Sequence, residues 1–415
     1  MDIDSVNNIL EYIELCHLPQ LNRNYEECSI HSEFELWNKN LSTYCPKVID
    51  LINYLNICNA KDELADKVVS SLLVLLFELQ SNGPWKIEKC FYFATRINHQ
   101  FELLNNITLD RILQDSKIFN SQDIFDKSIE LLHKKLTKND FKKYPALIKV
   151  YITVVKDVKK YNITLRPSSI LPASLLLIDD YVNENKINGL KCCSAILACL
   201  TLDHFHEGNY YEVIYGVLKK TITEKDIQTT ELVLECLFNL FKILPNHAKM
   251  STIDDTLHTV LEQLYTETNL LKKKTIFGFI NKIFPIHGVA SGKKIMFLTV
   301  ICDNLDVCSN EAVADILLTE VLECLKNWIK YCWCIWSLQP NIKILSMLIK
   351  LLYIYSTNET MCVKIQIVLI TLFKLCSNEE CKEIYDCLEK AAQDMKSLNN
   401  NFVRKIEDIK KELVV

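Results

Sequence analysis

The segment closest to a catalytic motif is the glycine- and lysine-rich run at residues 288–294. In a phosphate loop, four residues separate two glycines whose backbone N–H groups cradle phosphates, and a magnesium-binding Ser or Thr follows the lysine. Here only three residues separate Gly288 from Gly292, and Lys294 occupies the position of that hydroxyl. No strand-like apolar run precedes the segment. The pattern therefore predicts no nucleotide-binding site.

His204 and His206, with Cys199 close by, form the group that most resembles a metal site. A structural zinc ion takes four ligands, usually as two pairs spaced C-x2-4-C or H-x3-5-H. Two histidines separated by one residue point to different sides of a helix, and no second pair follows. A turn between two helices explains these residues better. The sequence therefore predicts neither a metal nor a cofactor.

Eighteen cysteines invite a disulfide, redox or nucleophile interpretation. However, the pair Cys192 and Cys193 and the pair Cys332 and Cys334 lack C-x-x-C redox spacing, and no G-x-S-x-G elbow occurs. The first residues are acidic and no apolar signal segment follows them, which indicates the cytoplasm, with the nucleus as a second location. We therefore expect free thiols packed as small hydrophobes and no enzyme activity. Cysteines on apolar helical faces include Cys236, Cys324 and Cys376.

The composition argues against several other classes of protein. Seven glycines in 415 residues, against about 29 at average usage, leave few positions for phosphate loops or tight hairpins. The net charge of -5 and the scarcity of arginine argue against nucleic-acid binding, which needs a basic face. The longest apolar runs, residues 70–77 and 194–202, are shorter than the roughly 18–20 residues of a membrane span. We expect neither nucleic acid nor a membrane as a partner.

Helical periodicity recurs along almost the whole chain. Leu64, Val68, Leu72, Leu76 and Leu79 follow one another at intervals of three or four residues and therefore share one helical face. Comparable stripes cover residues 233–244, 317–328 and 365–376. Sustained β alternation is missing from the sequence. The chain is therefore predicted to be all-α.

These helices are expected to pair into degenerate repeats. HEAT-type units are helix pairs of about 40–47 residues, and Pro245 and Pro285 lie one such unit apart, each at the end of an apolar helical run. Roughly seven or eight units fit between about residues 50 and 390 at that spacing. The predicted fold is a HEAT/armadillo-like α-solenoid of stacked antiparallel helix pairs.

Two prolines mark a soft boundary within this pattern. Pro167 and Pro172 interrupt the helical periodicity, since proline disrupts a helix interior. We place an N-terminal helical segment at residues 1–165 and a C-terminal HEAT-like solenoid at residues 166–415. The two parts are expected to form one continuous superhelix.

Several helix starts carry capping signals. Thr223, Ser251 and Ser377 are each followed three residues later by an acid, the arrangement of an N-cap hydroxyl with a carboxylate that complements the helix dipole. Near the C-terminus, residues 402–413 carry an apolar stripe among charges. This last helix is either the cap of the solenoid or a docking helix for a partner.

The most distinctive stretch is an apolar helix that ends in an acidic and aromatic turn before a second helix. The turn contains Asp179, Asp180 and Tyr181, while Lys186 and Gly189 lie on the second helix, where Gly189 allows close approach. This combination resembles the Tel-two-interacting protein two family, whose pattern has a Leu-x-Asp-Asp-Tyr-like turn followed by a Lys and a Gly. We expect the turn residues to brace the chain, because Asp often caps a helix start. Direct contact with a partner is the alternative.

The resemblance implies a non-enzymatic subunit of the three-protein TTT co-chaperone assembly. Such a subunit would form a hetero-oligomer with Tel-two and Tti-one type proteins. The assembly would support the stability and assembly of phosphatidylinositol-3-kinase-related kinases, together with the ninety-kilodalton heat-shock chaperone, in growth signalling and the DNA-damage response. The main alternative is another α-solenoid adaptor, of nuclear-transport or vesicle-coat type, that binds different proteins.

A tryptophan cluster indicates a second candidate surface. Trp328, Trp333 and Trp336 lie within nine residues, too many to bury on one narrow helical stripe. Core packing is the default interpretation, and an interface anchor is the second, because Trp is enriched at binding hot spots. We treat the three as a candidate partner interface. The basic run at residues 272–274 is expected to be a solvated helix end, with contact to an acidic partner as the lesser alternative.

Overall fold

The computed structural model describes residues 3–28, 31–54, 63–114, 119–138, 140–205 and 208–413. Over these ranges the chain forms eighteen α-helices and no strand, so the all-α prediction is confirmed. No helix in the same ranges combines the length and apolar character that crossing a bilayer requires. The first nine helices are α1 (Ile3–Cys16), α2 (Ser32–Tyr54), α3 (Glu63–Gln80), α4 (Glu88–Asn105), α5 (Ser121–Leu136), α6 (Pro145–Lys156), α7 (Pro167–Ile178), α8 (Asn183–Leu197) and α9 (Tyr210–Thr221). The others are α10 (Ile227–Ile243), α11 (Asn246–Thr266), α12 (Leu270–His287), α13 (Ile295–Val307), α14 (Glu311–Cys332), α15 (Leu338–Ile354), α16 (Glu359–Phe373), α17 (Asn378–Met395) and α18 (Asn400–Leu413).

Helix packing groups the chain into two compact units, Met1–Val217 and Leu218–Val415. The boundary placed after residue 165 falls inside the first unit, where α7 packs against α5 and α8 packs against α6. Pro167 is the first residue of α7 and Pro172 lies within it. Proline is well tolerated at a first helical position because the N–H there has no helical partner. The expectation of one continuous superhelix stays a prediction.

Helix α3 forms the centre of the first unit, because α1, α4, α5 and α6 all pack around it. Its predicted stripe is buried at Val68, Leu72, Leu76 and Leu79, and Leu73 on another side is buried as well. A helix that is apolar on several sides is one that is enclosed by its neighbours. The first unit therefore has a closely packed core around α3, and the segments that connect its helices are anchored to this core.

The second unit is built from two layers of helices. In one layer α10, α12, α14, α16 and α18 pack in succession, and in the other α11, α13 and α15 do so. Successive helices of the first layer begin 43, 41, 48 and 41 residues apart. This spacing is close to the about 40–47 residues of a HEAT unit. The stacked helix pairs are those of the predicted solenoid class.

Each helix of the first layer begins with an aspartate or asparagine whose side chain accepts a backbone N–H from the first turn. These N-caps are Asp226, Asn269, Asn310, Asn358 and Asn399. Such caps satisfy N–H groups that have no partner inside the helix. The cap recurs once per repeat. It is therefore a short sequence signature of the repeat, and the spacing of apolar residues alone did not reveal it.

Of the three predicted capping pairs, the one at Ser377 is confirmed. The Ser377 side chain accepts the Glu380 N–H, and the Glu380 carboxylate accepts the Ser377 N–H. Thr223 was wrong as a cap, because Asp226 itself caps α10. Ser251 was also wrong, because it lies inside α11, where its hydroxyl donates to a carbonyl of the preceding turn. A hydroxyl three residues before an acid does not by itself say where the first turn begins.

The basic run at residues 272–274 is not a solvated helix end along its whole length. Lys272 is buried, and its ammonium group donates to the Glu224 carbonyl at 2.6 Å and pairs with the Glu267 carboxylate at 3.1 Å. Lys274, by contrast, is exposed. The expectation was therefore wrong for Lys272, because a connecting segment distant in sequence covers it.

Helix α18 closes the second unit. Its apolar residues Phe402, Ile406 and Ile409 are buried, and the helix packs on α16 and α17. Arg404 and Lys411 on the other side are exposed. Since the apolar stripe is occupied within the unit, the arrangement favours the capping helix over the docking helix.

Candidate partner-binding site

The turn between α7 and α8 is built around Asp180, whose side chain is 1% exposed. One carboxylate oxygen forms an ion pair with the Lys142 ammonium group and accepts the Val182 N–H at 3.4 Å. The other oxygen accepts the side-chain N–H of Asn185 at 2.8 Å. A buried carboxylate is tolerated when its charge and lone pairs are satisfied in this way. Asp180 therefore holds the turn in one shape.

Lys142 contacts Tyr181 as well as Asp180. Its ammonium nitrogen lies 3.6 Å from the centre of the Tyr181 ring, which is cation–π geometry. Burial by itself lowers the pKa of Lys142, but the hydrogen bond and charge of Asp180, with the charges of Glu26 and Tyr181, raise that pKa above its usual value. Tyr181 is nevertheless 73% exposed. The turn thus presents an aromatic ring to solvent and holds it in place with a buried ion pair.

Several connecting segments of the first unit meet beside this turn and line a cavity of about 260 Å³. Tyr25 packs edge-on against Trp85, with ring centroids 5.7 Å apart, and Lys149 forms an ion pair with Glu184. Lys142, Tyr25 and Trp85 escaped the sequence analysis because they lie far from the motif along the chain. Their residue types carry no local signal that would single them out.

The remaining motif residues have separate positions. Asp179 is exposed at the end of α7, and Lys186 is half-buried in the first turn of α8. Gly189 lies where α7 and α8 cross, and a Cβ there would lie 2.7 Å from the Ile178 nitrogen and 2.8 Å from the Ser174 carbonyl oxygen. Only glycine fits such a close approach of two backbones. Contact of any motif residue with a partner stays a prediction.

The three tryptophans of the second unit lie in three different environments. Trp328 is 1% exposed and stacks on Phe297 with ring centroids 6.2 Å apart. Trp336 is half-buried, meets Trp328 edge-on at 6.2 Å and lies against Cys376. Trp333, in the short turn after α14, is 60% exposed. Of the three, Trp333 is therefore the one whose ring faces solvent, while Trp328 belongs to the core.

The exposed Trp333 lies next to the glycine-rich segment compared above with a phosphate loop. Gly288–Lys293 forms a 3-10 turn after α12 and packs against α14. A Cβ at Gly292 would lie 3.1 Å from Cys332 Cβ and would also meet the side chain of Ile335. This segment therefore supports the turn that carries Trp333.

His287 joins this segment to the core. The imidazole is buried, and its Nδ1 lies 2.9 Å from the Ser291 hydroxyl. Burial lowers the pKa of His287, and the positive charge of Lys294 lowers it further, against the opposing effect of Asp254. The folded state therefore favours the neutral imidazole.

We expect the free energy of unfolding to fall more steeply between pH 7 and pH 5 for the wild-type chain than for His287→Asn. In the unfolded chain this histidine binds a proton below its ordinary pKa of 6.5, whereas the folded chain, with the lowered pKa, stays neutral to lower pH. The resulting stabilisation is complete above pH 6.5 and is lost as pH falls through and below that value. Urea denaturation at pH 7, 6 and 5 measures both slopes. Equal slopes would contradict the assignment of a lowered pKa to His287.

His204 takes part in a turn, as the sequence predicted. Its Nδ1 accepts the Thr201 N–H at 3.1 Å and lies 2.9 Å from the Thr201 hydroxyl, and Leu202–Phe205 forms a 3-10 turn. His206 lies outside the described residues. In the part of the chain that the structure covers, no three His, Cys, Asp or Glu side chains are grouped as metal ligands would be.

Within the described ranges, seventeen cysteines lie outside any disulfide. Cys236 and Cys324 are buried, whereas Cys376 is half-buried. Burial raises the pKa of Cys324 well above its usual value and that of Cys192 to about 12. Since the thiolate is the reactive form, Cys324 and Cys192 act as small apolar side chains.

Comparison with known proteins identifies relatives that resemble part of this chain. No family model matches the sequence. TELO2-interacting protein 2 of Mus musculus is 28% identical over 212 residues, which cover 49% of this chain and 41% of the mouse protein. The Homo sapiens protein of the same name is 25% identical over 300 residues, 67% of this chain and 57% of the human protein. The chain is therefore similar to TELO2-interacting protein 2 over about half to two thirds of its own length. It spans about half the length of the curated relatives it matches.

Among solved structures, the crystal structure of Kap121p has a similar fold. The TM-score is 0.51 at 11% sequence identity, over 100% of this chain and 41% of Kap121p. At that identity the likeness concerns the fold alone. Together with the stacked helix pairs, it confirms the predicted HEAT/armadillo-like solenoid for this TELO2-interacting protein 2 relative.

Proposed function

We propose that the chain is a non-enzymatic scaffold subunit of a TTT-type co-chaperone complex. The observation that carries this proposal is the relationship to TELO2-interacting protein 2, whose name describes binding to TELO2. In this role the chain joins Tel-two and Tti-one type subunits in a hetero-oligomer. The complex then supports the stability and assembly of phosphatidylinositol-3-kinase-related kinases with the ninety-kilodalton heat-shock chaperone. The proposed location is the cytoplasm, with the nucleus as a second compartment.

Two exposed aromatic residues, each next to a well-packed part of the structure, support a binding role. Tyr181 stands on the buried pair of Asp180 and Lys142, and Trp333 stands on a turn packed against the segment that follows α12. Aromatic side chains dominate binding hot spots because they bury a large area with little loss of conformational entropy. For Tyr181, the ammonium group that already holds the ring lowers that loss further. Tyr181 is thus a preorganised aromatic anchor of the first unit, and Trp333 is an exposed aromatic residue of the second unit on a supported turn.

The proposal is tested by affinity purification of the tagged chain from native extract of its own cells, with mass spectrometry of the bound proteins. Recovery of Tel-two and Tti-one type subunits in stoichiometric amounts, with very large kinases in smaller amounts, is the expected result. Recovery of nuclear-transport or vesicle-coat proteins in their place would contradict the proposal. That result would be compatible with the solenoid fold but would favour a solenoid adaptor of another kind.

Trp333→Ala is expected to weaken capture of these subunits at least about tenfold, a loss typical of a hot-spot aromatic residue. The ring is exposed in the isolated chain, so its removal leaves the core intact. The midpoint of thermal unfolding and the helical circular dichroism signal should therefore not change. Titration of the purified chain against the co-expressed Tel-two and Tti-one type subunits measures the affinity.

Leu398→Ala serves as the control, since Leu398 is an apolar residue of the same unit that is 73% exposed, against 60% for Trp333, and it is remote from Trp333 in sequence. Unchanged affinity of Trp333→Ala would remove this residue from the interface. Trp336→Ala is a less specific test, because Trp336 also packs on the buried Trp328. We expect it to weaken capture and to lower stability together.

A further inference from the structure

The surface of the second unit carries an open groove of about 640 Å³ between α10 and α12. On both helices the lining residues recur at intervals of three or four, so the groove runs along the helix axes. On α12 it extends from Leu271 to Lys282, about 16 Å at about 1.5 Å per residue. Leu271 is 54% exposed at one end, and the half-buried Phe238 closes the other. The lining residues that matter below are Glu231, Glu235, Phe238, Lys274, Gly278 and Lys282.

Gly278 occupies the middle of α12 and lines this groove, and no neighbour among the described residues requires a glycine there. A Cβ at this position would have no atom within 4 Å, in contrast to Gly189, whose neighbours exclude one. Glycine in a helix interior is less favourable than alanine, and the chain contains only seven glycines. The missing side chain leaves space above the helix backbone at the centre of the groove.

The two walls of the groove carry opposite charge. Glu231 and Glu235, one turn apart, lie on α10, whereas Lys274 and Lys282 lie on α12. Glu320 of the neighbouring helix α14 also lines the groove. Lys282 and Lys242 also lie over the Phe238 ring, at 5.8 and 4.2 Å from its centre. Between these walls the lining is apolar, with Leu234 and Phe279 at its base. A segment that complements this groove therefore has an apolar centre, a basic flank and an acidic flank.

A helix fits these dimensions better than an extended segment does. Two packed helices offer no free backbone groups for strand pairing, whereas a third helix can lay an apolar stripe between them. The length of the groove corresponds to about three helical turns. A glycine at the centre allows a helix axis to approach toward the lower end of the usual range of about 8–10 Å.

We infer that the groove between α10 and α12 is a docking site for an amphipathic helix of a partner protein. The helix has apolar residues at intervals of three and four, basic residues on the flank that faces α10 and acidic residues on the flank that faces α12. The site is separate from Tyr181 and Trp333, and it does not depend on membership of a co-chaperone complex.

The test uses the full chain and three fluorescent, hydrocarbon-stapled helical peptides of equal length with the same leucine stripe. One peptide has a basic and an acidic flank, one has two basic flanks and one has two acidic flanks. Fluorescence polarisation should give saturable binding of the mixed-flank peptide, at least tenfold tighter than of either other peptide. Absence of saturable binding by the mixed-flank peptide would overturn the inference.

Gly278→Leu fills the groove without a clash, because the position is open on the free surface. We expect it to weaken binding of the mixed-flank peptide at least tenfold without lowering the midpoint of thermal unfolding. Gly216→Leu is the matched control, since a Cβ at Gly216 on α9 also has no atom within 4 Å. Equal binding by Gly278→Leu and the wild type would place the peptide elsewhere and overturn the inference.

A charge reversal provides an independent readout if the leucine variant proves unstable. The double variant Glu231→Lys and Glu235→Lys makes both walls basic. It should lose affinity for the mixed-flank peptide and gain affinity for the peptide with two acidic flanks, each by at least fivefold. An unchanged order of affinities would show that these walls do not face the helix.

Discussion

Lys142→Ala is expected to lower the free energy of unfolding of the first unit by about 3–5 kcal/mol, because it leaves the Asp180 carboxylate buried without a counter-charge. The Asp180 side chain is 1% exposed and that of Lys142 is 12% exposed, so the ion pair is largely shielded from solvent. Urea denaturation followed by circular dichroism measures the loss. Because the pKa of Lys142 is raised above its ordinary value of 10.5, the stabilisation is complete below that pH and is lost as pH rises through the raised pKa. The difference between the two proteins should therefore be constant between pH 7 and pH 9.

Lys149→Ala is the control for this prediction. Lys149 pairs with Glu184 in the same region, but the two side chains are 34% and 68% exposed, so we expect a loss below about 1 kcal/mol. The double variant Lys142→Met and Asp180→Asn removes both charges and should be more stable than the sum of the two single losses implies. If Lys142→Ala were no more destabilising than Lys149→Ala, the buried pair would not be what holds the turn.

The same variant connects stability to binding. Without Lys142 the Tyr181 ring loses the ammonium group 3.6 Å from its centre, and the turn loses the ion pair that shapes it. Subunit capture by Lys142→Ala should then fall under conditions in which the protein remains folded. Tyr181→Ala should weaken capture without the loss of stability, since the exposed ring adds little to the core.

Gly189→Ala is expected to lower the free energy of unfolding of the first unit by about 1–3 kcal/mol, the range for overpacking of a close contact. The added Cβ would lie 2.7 Å from the Ile178 nitrogen and 2.8 Å from both the Leu177 Cβ and the Ser174 carbonyl oxygen. Two of these three atoms belong to the backbone of α7 and cannot rotate away. Helices α7 and α8 would have to separate, and the gain in helix propensity of about 1 kcal/mol offsets only part of that loss. Thermal and urea denaturation measure the effect.

For Gly216→Ala we expect the opposite change in the free energy of unfolding. This glycine also lies inside a helix, but a Cβ there meets no atom within 4 Å. Alanine should therefore raise the free energy of unfolding by about 0.5–1 kcal/mol, because it restricts the unfolded chain. A stabilising effect of alanine at both positions would show that α7 and α8 do not approach as closely as the structure places them.

Much of the fold was predictable because its determinants are local. The spacing of apolar residues in α3 and the distance between successive helix pairs follow from 3.6 residues per turn and from unit length. The Ser377 cap was likewise predicted correctly, since both partners lie within four residues. Thr223 was predicted to cap α10, but the cap is Asp226. The sequence pattern does not show which of the two side chains accepts the backbone N–H groups of the first turn.

The candidate site was predictable only in part. Residue types identified Asp180 and Tyr181 as unusual, and Gly189 as a point of close helix approach. They gave no indication of Lys142, which no pattern of apolar spacing or capping distinguishes from other lysines of the chain. The spacing of the tryptophan cluster could not separate the buried Trp328 from the exposed Trp333, and the role of the cluster as an interface stays a prediction.

By itself, the sequence determined the all-α class, the length of the repeat and the similarity to TELO2-interacting protein 2. Each of these three features depends on residues a few positions apart or on similarity spread along the chain. None of them requires knowledge of which helices pack together. Only the tertiary structure decided that Lys142 neutralises Asp180, that Lys272 is buried and that Gly278 lies in an open groove. The physical reason is that burial and charge pairing are set by side chains from helices and connections distant in sequence, and these come together only when the helices pack.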